Sequence, residues 1–280
     1  MHKILAVAPL IAALFLSTSP LTAQVPRTAP LALPIIGTIP AAQDVAYPGT
    51  MDLDIDATDV VRGVYRVTQT IAVKPGSDDL VLLLPQWLPG NHSPTGNPAQ
   101  INDIRFSANG KPLTWRRDTV DVFAFHVAIP DGVREVTAKF VHTSPLQTSE
   151  GRITMTREML NLQWEKMSLY PAGFYVRQIK VKPTVKFPEG WTVFTALDGK
   201  TAKGSTIGWA TTDYETLVDS PVFAGRYATR TDIGHSVWMD AIADKPELLA
   251  IKPEHMQTYR NLTDEALARS WAMRRRSTIS

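Results

Sequence analysis

From Met51 the chain alternates: Met51, Leu53 and Ile55 take turns with Asp52, Asp54 and Asp56, the two-residue period of a strand with one buried face. Runs of the same character follow at 64–73, 79–84, 101–108, 112–117, 122–129 and 133–142, and in 122–129 the residues Phe123, Phe125, Val127 and Ile129 share one face. Asn109-Gly110 and Asp131-Gly132 separate strand-like runs. Both pairs tolerate positive φ, so the pattern predicts hairpins there and hence antiparallel pairing. Further strands are expected at 161–169, 175–182, 191–196, 222–230 and 236–243, divided by Pro and Gly. Many short strands with frequent turns predict a mainly β fold over residues 50–245, an antiparallel sandwich-like domain without internal repeats.

The period changes only after Pro253. Met256, Tyr259, Leu262, Ala266 and Leu267 approximate one apolar face of a helix that Pro253 and Glu254 open. Residues 246–268 therefore read as the start of a helical domain, so the β domain is followed by a C-terminal helix. Beyond it, 269–280 is an aberrant basic tail in which Arg274-Arg275-Arg276-Ser277-Thr278 continues no apolar face.

The start of the chain has a different texture. His2 and Lys3 precede the apolar stretch Ile4 to Leu16, and Leu21-Thr22-Ala23 offers a cleavage site, so residues 1–23 read as a signal peptide cut after Ala23. The apolar run is short for a bilayer span, and Pro9 interrupts it; an uncleaved anchoring start is the alternative. Export to the periplasm or the extracellular space follows, with no stable membrane span after cleavage. Residues 24–49, with Pro26, Pro30, Pro34, Pro40 and Pro48 among small apolar residues, read as a flexible leader.

Composition narrows the chemistry. The chain has no cysteine, which excludes disulfides and thiolate metal sites from an exported protein. The net charge of +2 falls to +1 once Lys3 leaves, and Arg269 with the three later arginines crowds the end; no basic stripe with interleaved aromatics exists, so nucleic acid is discounted as a partner. A zinc site of the His-Glu-x-x-His type needs two imidazoles one helical turn apart. Here the residues after His2, His92, His126, His142, His235 and His255 are Lys, Ser, Val, Thr, Ser and Met, and the inverted motif that Glu254-His255 could complete has Ile251 in place of its first histidine. Gly204-Ser205 has Ile207 where a nucleophile elbow needs glycine, and phosphate loops and dinucleotide fingerprints are missing. A dispersed Ser, His and Asp set stays open. The sequence thus offers no catalytic, cofactor-binding or metal-ligating residue. The sequons at Asn91 and Asn261 carry no functional weight, and most of the seven tryptophans read as core.

Several segments stand out for their order and spacing. They are Leu84-Pro85-Gln86-Trp87-Leu88-Pro89-Gly90, Asn109-Gly110-Lys111-Pro112-Leu113, Met159-Leu160-Asn161-Leu162 with Ser168-Leu169-Tyr170-Pro171, and Asp219-Ser220-Pro221-Val222-Phe223-Ala224-Gly225. Together, over roughly Tyr47 to Leu267, the chain resembles the N-terminal region of the glycyl-aminopeptidase-type zinc peptidases, exported enzymes with a C-terminal PDZ domain. The resemblance implies a β domain packed against a thermolysin-like catalytic domain that carries the zinc motif. None of those zinc residues is in this sequence, so no catalytic residue carries over. The helix at 254–267 resembles the first helix of that catalytic domain, and the likeness stops near Arg269, which reads as a truncation or frameshift.

Three functions follow as expectations. The first is a non-catalytic N-terminal domain that shapes the substrate cleft and docks the missing catalytic domain; its partners would be that domain or the peptide substrate, and zinc would belong only to the full-length family. The second is a freestanding envelope module that binds peptide or carbohydrate through aromatics such as Trp87, and the third is a hydrolase with an unrecognised site. For Trp87 itself, packing into the sandwich edge before the Pro89-Gly90 turn is the expectation, with substantial loss of stability on Trp87→Ala.

Overall fold

The computed structural model describes residues 37–88 and 93–277, with side chains to Arg269. The signal peptide read at 1–23, leader residues 24–36, the Pro89-Gly90 turn and Asn91 with His92 lie outside the described residues, as does the side chain of Trp271. So do residues 278–280.

In chain order the first strands are β1 (Thr50–Asp59), β2 (Val64–Ala72), β3 (Asp79–Leu83), β4 (Ile101–Ala108), β5 (Lys111–Pro112), β6 (Trp115–Arg117), β7 (Ala124–Ala128) and β8 (Glu135–Thr143). After them come β9 (Met159–Leu162), β10 (Tyr170–Pro171), β11 (Lys180–Lys186), β12 (Thr192–Phe194), β13 (Thr201–Lys203), β14 (Thr206–Gly208) and β15 (Thr212–Asp213). The short helix α1 (Tyr214–Val218), strands β16 (Val222–Gly225), β17 (Tyr227–Asp232) and β18 (Trp238–Ala243), and helix α2 (Pro253–Ser277) complete the fold. The fold is mainly β, built of several antiparallel sheets and followed by a C-terminal helix.

The largest sheet runs β13-β14-β11-β1-β2-β8-β4-β5, with β15 also on β11. Against its inner face lie the sheets β10-β3-β7-β6 and β12-β16-β9, and β17 with β18 forms a separate hairpin. Alternation places the core: Met51, Leu53, Ile55 and Ala57 are buried on β1, and Tyr65, Val67, Gln69 and Ile71 on β2. The aspartates of β1 take the other face, where the ladders set Asp52 beside Lys182 and Asp56 beside both Lys186 and Arg66. Phe106 of the large sheet meets Trp115 of the facing one edge-on at 5.7 Å. Gln69, fully buried, satisfies its amide on the backbone of Leu169, donating to the carbonyl at 2.6 Å and accepting from the N–H at 3.0 Å.

Several expectations need correction. β1 and β11 pair in parallel, joining segments more than a hundred residues apart, so the large sheet is not antiparallel throughout. The turn at Asn109-Gly110 closes a two-residue hairpin, with φ of 49° and 75° and Ala108 opposite Lys111. Asp131-Gly132 closes none: only the glycine has positive φ, Val133 N–H bonds back to Pro130, and the flanking strands β7 and β8 belong to different sheets. The strand expected at 161–169 ends at Leu162 and tightens into a 3₁₀ turn at Trp164–Lys166. The strand expected at 175–182 starts later and runs through Pro183. That proline falls between the stretches where β15 and β14 pair with β11; its carbonyl accepts from Trp209 N–H on that outer side, so the missing N–H breaks no ladder bond.

The strand expected at 222–230 breaks at Arg226, whose N–H bonds Glu158. The hairpin of β13 and β14 was not expected; Gly204-Ser205, weighed above as a nucleophile elbow, is its two-residue turn. Part of the flexible leader is fixed. Tyr47 is buried and donates its hydroxyl to Ala72, and Gln43 pairs with the strand-like backbone at Phe174. The backbone of α2 stays helical to Ser277, through most of the tail read as aberrant.

Candidate functional site

Two groupings of side chains invite a chemical reading. The first centres on His126, buried on β7 between two carboxylates: Nδ1 is 2.9 Å from Asp79 Oδ2, and Nε2 is 2.9 Å from Asp118 Oδ2. Asp118 sits at the end of β6, where its carboxylate also accepts from the Thr38 hydroxyl and from the backbone N–H groups of Val120 and Asp121. The Thr38 hydroxyl first, then those N–H groups and His126, hold the Asp118 carboxyl well below the usual carboxylate range. The cluster ties the leader to β3 and the β6–β7 turn. It is not a nucleophile triad, because the hydroxyl faces the carboxylate rather than the imidazole.

The described histidines do not assemble a zinc site. His126 has an acidic oxygen against each ring nitrogen and no lone pair turned to a metal. His142 is buried alone beside Tyr65, both nitrogens without a partner, and burial followed by the charge of Lys166 pushes it down to about 4. His235 is exposed and pairs with Asp264 of α2 at 2.6 Å; His255 is exposed too, and His2 and His92 lie outside the described residues. Among the described residues no three His, Asp or Glu side chains converge as a metal would require. The described residues do not fit zinc.

The second grouping is a groove of about 270 Å³ lined by Trp87, Tyr170, Val176, Tyr214, Glu215 and Val218. Trp87 is 56% exposed, against the expectation that it would plug the sandwich edge. Leu84 and Pro85 fill that edge instead, Leu84 bonding Phe123 as the chain leaves β3, and Trp87 turns outward two residues later. Tyr214 is buried and its hydroxyl bonds Ser168 at 2.8 Å, so it forms the floor behind the groove. Tyr170 lies against it with ring centroids 5.3 Å apart. Asp213 caps α1, accepting from Thr216 N–H at 2.8 Å, and so fixes Tyr214 and Glu215 at the rim. Sequence reasoning singled out Trp87 alone, because the other walls come from distant segments with no spacing to link them.

A family model, the Peptidase M61 N-terminal domain, matches residues 52–226, more than half of the chain. The chain belongs to this family. The M61 match begins within β1 and ends just past β16, so it takes in the sheets that form the core and leaves out β17, β18 and α2. No curated protein matches the sequence. Among solved structures, an aminopeptidase N family protein from Idiomarina loihiensis is similar with a TM-score of 0.56 at 18% identity, over 68% of this chain and 32% of that one. An M1 zinc metallopeptidase from Deinococcus radiodurans is similar at 13% identity and a TM-score of 0.39, over 79% of this chain and 53% of that one. Yeast LTA4 hydrolase, solved with bestatin, is similar at 10% identity and a TM-score of 0.45, over 78% and 33%. The M61 domain chain thus spans about a third to a half of the length of these proteins, and at these identities the Idiomarina structure supports the fold alone. No helix among the described residues is long and apolar enough to cross a membrane.

Proposed function

We propose that this chain serves as the exported, non-catalytic N-terminal β domain of a zinc metallo-aminopeptidase, shaping the substrate cleft and docking the catalytic domain. The M61 match over 52–226 carries the reading. Two features support it. The described histidines converge on no metal site, and on this reading the metal and its chemistry would lie in the catalytic domain. Outside the matched region, Trp238, Leu248, Tyr259 and Leu262 are exposed on β18, the following turn and α2, apolar side chains that a docked partner would cover. Purified chain, assayed on small aminoacyl substrates with added zinc, should show no turnover that a chelator removes. It should also bind an M61-type catalytic domain supplied as a separate polypeptide. Chelator-sensitive turnover by the chain alone would overturn the non-catalytic role, and absence of binding would overturn the docking role.

The exposure of Trp87 favours a second reading, a freestanding envelope module that binds peptide or carbohydrate. It requires saturable binding without any catalytic partner.

A further inference from the structure

The groove beside Trp87 has walls and charge that select one class of ligand. Its surfaces are aromatic and aliphatic: the exposed Trp87, the half-buried Tyr170 backed by the buried Tyr214, and Val176 and Val218. At the rim Glu215 is exposed and makes no ion pair among the described residues. Asp121 adds a second negative charge close enough to act on Tyr170. The cation that Glu215 reaches is Arg177, which is already committed, bonded to Asp44 at 2.9 Å and lying 4.7 Å over the Tyr175 ring. Anions are therefore repelled. A small, strongly hydrated cation would lose its water against apolar walls without recovering it from one carboxylate. A cation covered in methyl groups loses little, presents apolar surface to the valines and its charge to the ring faces and to Glu215. A volume of 270 Å³ falls just short of the range of about 300–1,000 Å³ that drug-sized ligands occupy, which limits the occupant to a compact group.

We propose that this groove binds quaternary ammonium groups, as carried by choline, with Trp87 and Tyr170 as the aromatic walls and Glu215 as the counter-charge. The site is independent of the peptidase reading and stands or falls without it.

The test is a calorimetric titration of the full chain with tetramethylammonium chloride, with sodium chloride and the neutral isostere 3,3-dimethylbutanol as controls. The expected result is saturable binding with a dissociation constant on the order of 1 mM, as befits so few ligand atoms. The neutral isostere should bind at least about tenfold more weakly. Glu215→Gln should weaken tetramethylammonium about tenfold at the parent melting temperature, and Trp87→Ala should abolish binding while its thermal unfolding stays cooperative. Lack of saturation, equal affinity for the isostere, or unchanged binding in Trp87→Ala would each overturn the proposal. Two sources share this chemistry. Co-sedimentation with phosphatidylcholine vesicles, but not with phosphatidylglycerol vesicles, that excess tetramethylammonium reverses would assign a lipid headgroup; saturable choline binding without co-sedimentation would assign the free cation.

Discussion

Trp164 and Trp87 carry the same side chain into opposite surroundings. Trp164 is fully buried, donates its indole N–H to the Ser220 carbonyl at 2.8 Å and meets Trp209 edge-on at 6.1 Å. Trp164→Ala should therefore cost about 3–5 kcal/mol, the range for loss of a buried aromatic, read as a lower urea midpoint at unchanged slope. Trp87→Ala should lower that midpoint far less, because Trp87 is 56% exposed. Among the described titratable residues His142 is a buried one whose burial has a pH consequence below neutrality. Its folded pKa, about 4, lies below the ordinary 6.5 because the interior and Lys166 disfavour the charged ring. Between those two values the unfolded chain binds a proton that the folded chain refuses, so stability is complete above pH 6.5 and falls as the pH drops toward 4. The interval corresponds to about 3 kcal/mol. His142→Leu should flatten the stability profile between these pH values, and an unchanged slope would show that His142 is not the group responsible.

At the level of elements, the two glycine turns show what dipeptide chemistry settles and what it leaves open. Asn109-Gly110 lies between β4 and β5, where the I′ geometry matches the twist of adjacent strands. A side chain at Gly110 would meet nothing within 4 Å, so Gly110→Ala should cost only the conformational penalty of a left-handed residue, about 1 kcal/mol, measured by chemical denaturation. Asp131-Gly132 has similar residues but joins strands of two sheets, because β7 finds its partners in β3 and β6 and β8 finds its own in β2 and β4. Local turn preference fixed the bend and had no say in the pairing. Helix α2 makes the complementary point. Of its apolar stripe, Met256 and Leu267 are half-buried while Tyr259 and Leu262 face solvent. It is tied to the body where the Thr263 hydroxyl bonds the Ile233 carbonyl and where His235 pairs with Asp264.

For the molecule as a whole, stability rests in the core shared by the large sheet and the two sheets on its inner face, and α2 adds little to it. Deleting residues 254–280 should leave the melting temperature of the β domain nearly unchanged and raise its solubility by removing exposed Tyr259 and Leu262. Loss of cooperative unfolding in the truncated chain would show instead that α2 is part of the folding unit. By itself the sequence determined the β class, the face of each long strand and the Asn109-Gly110 hairpin, because alternation and turn chemistry act over neighbouring residues. It also carried the family resemblance, spread over segments whose order survives without any fixed catalytic motif. Only the tertiary structure decided the parallel pairing of β1 with β11, the passage of a strand through Pro183, the clasp of His126 between Asp79 and Asp118, and the groove of Trp87 with Tyr170, Tyr214 and Glu215. Each of these joins residues far apart in the chain. Their meeting depends on how sheets stack and cross, and that is set by burial of the whole core rather than by any local pattern.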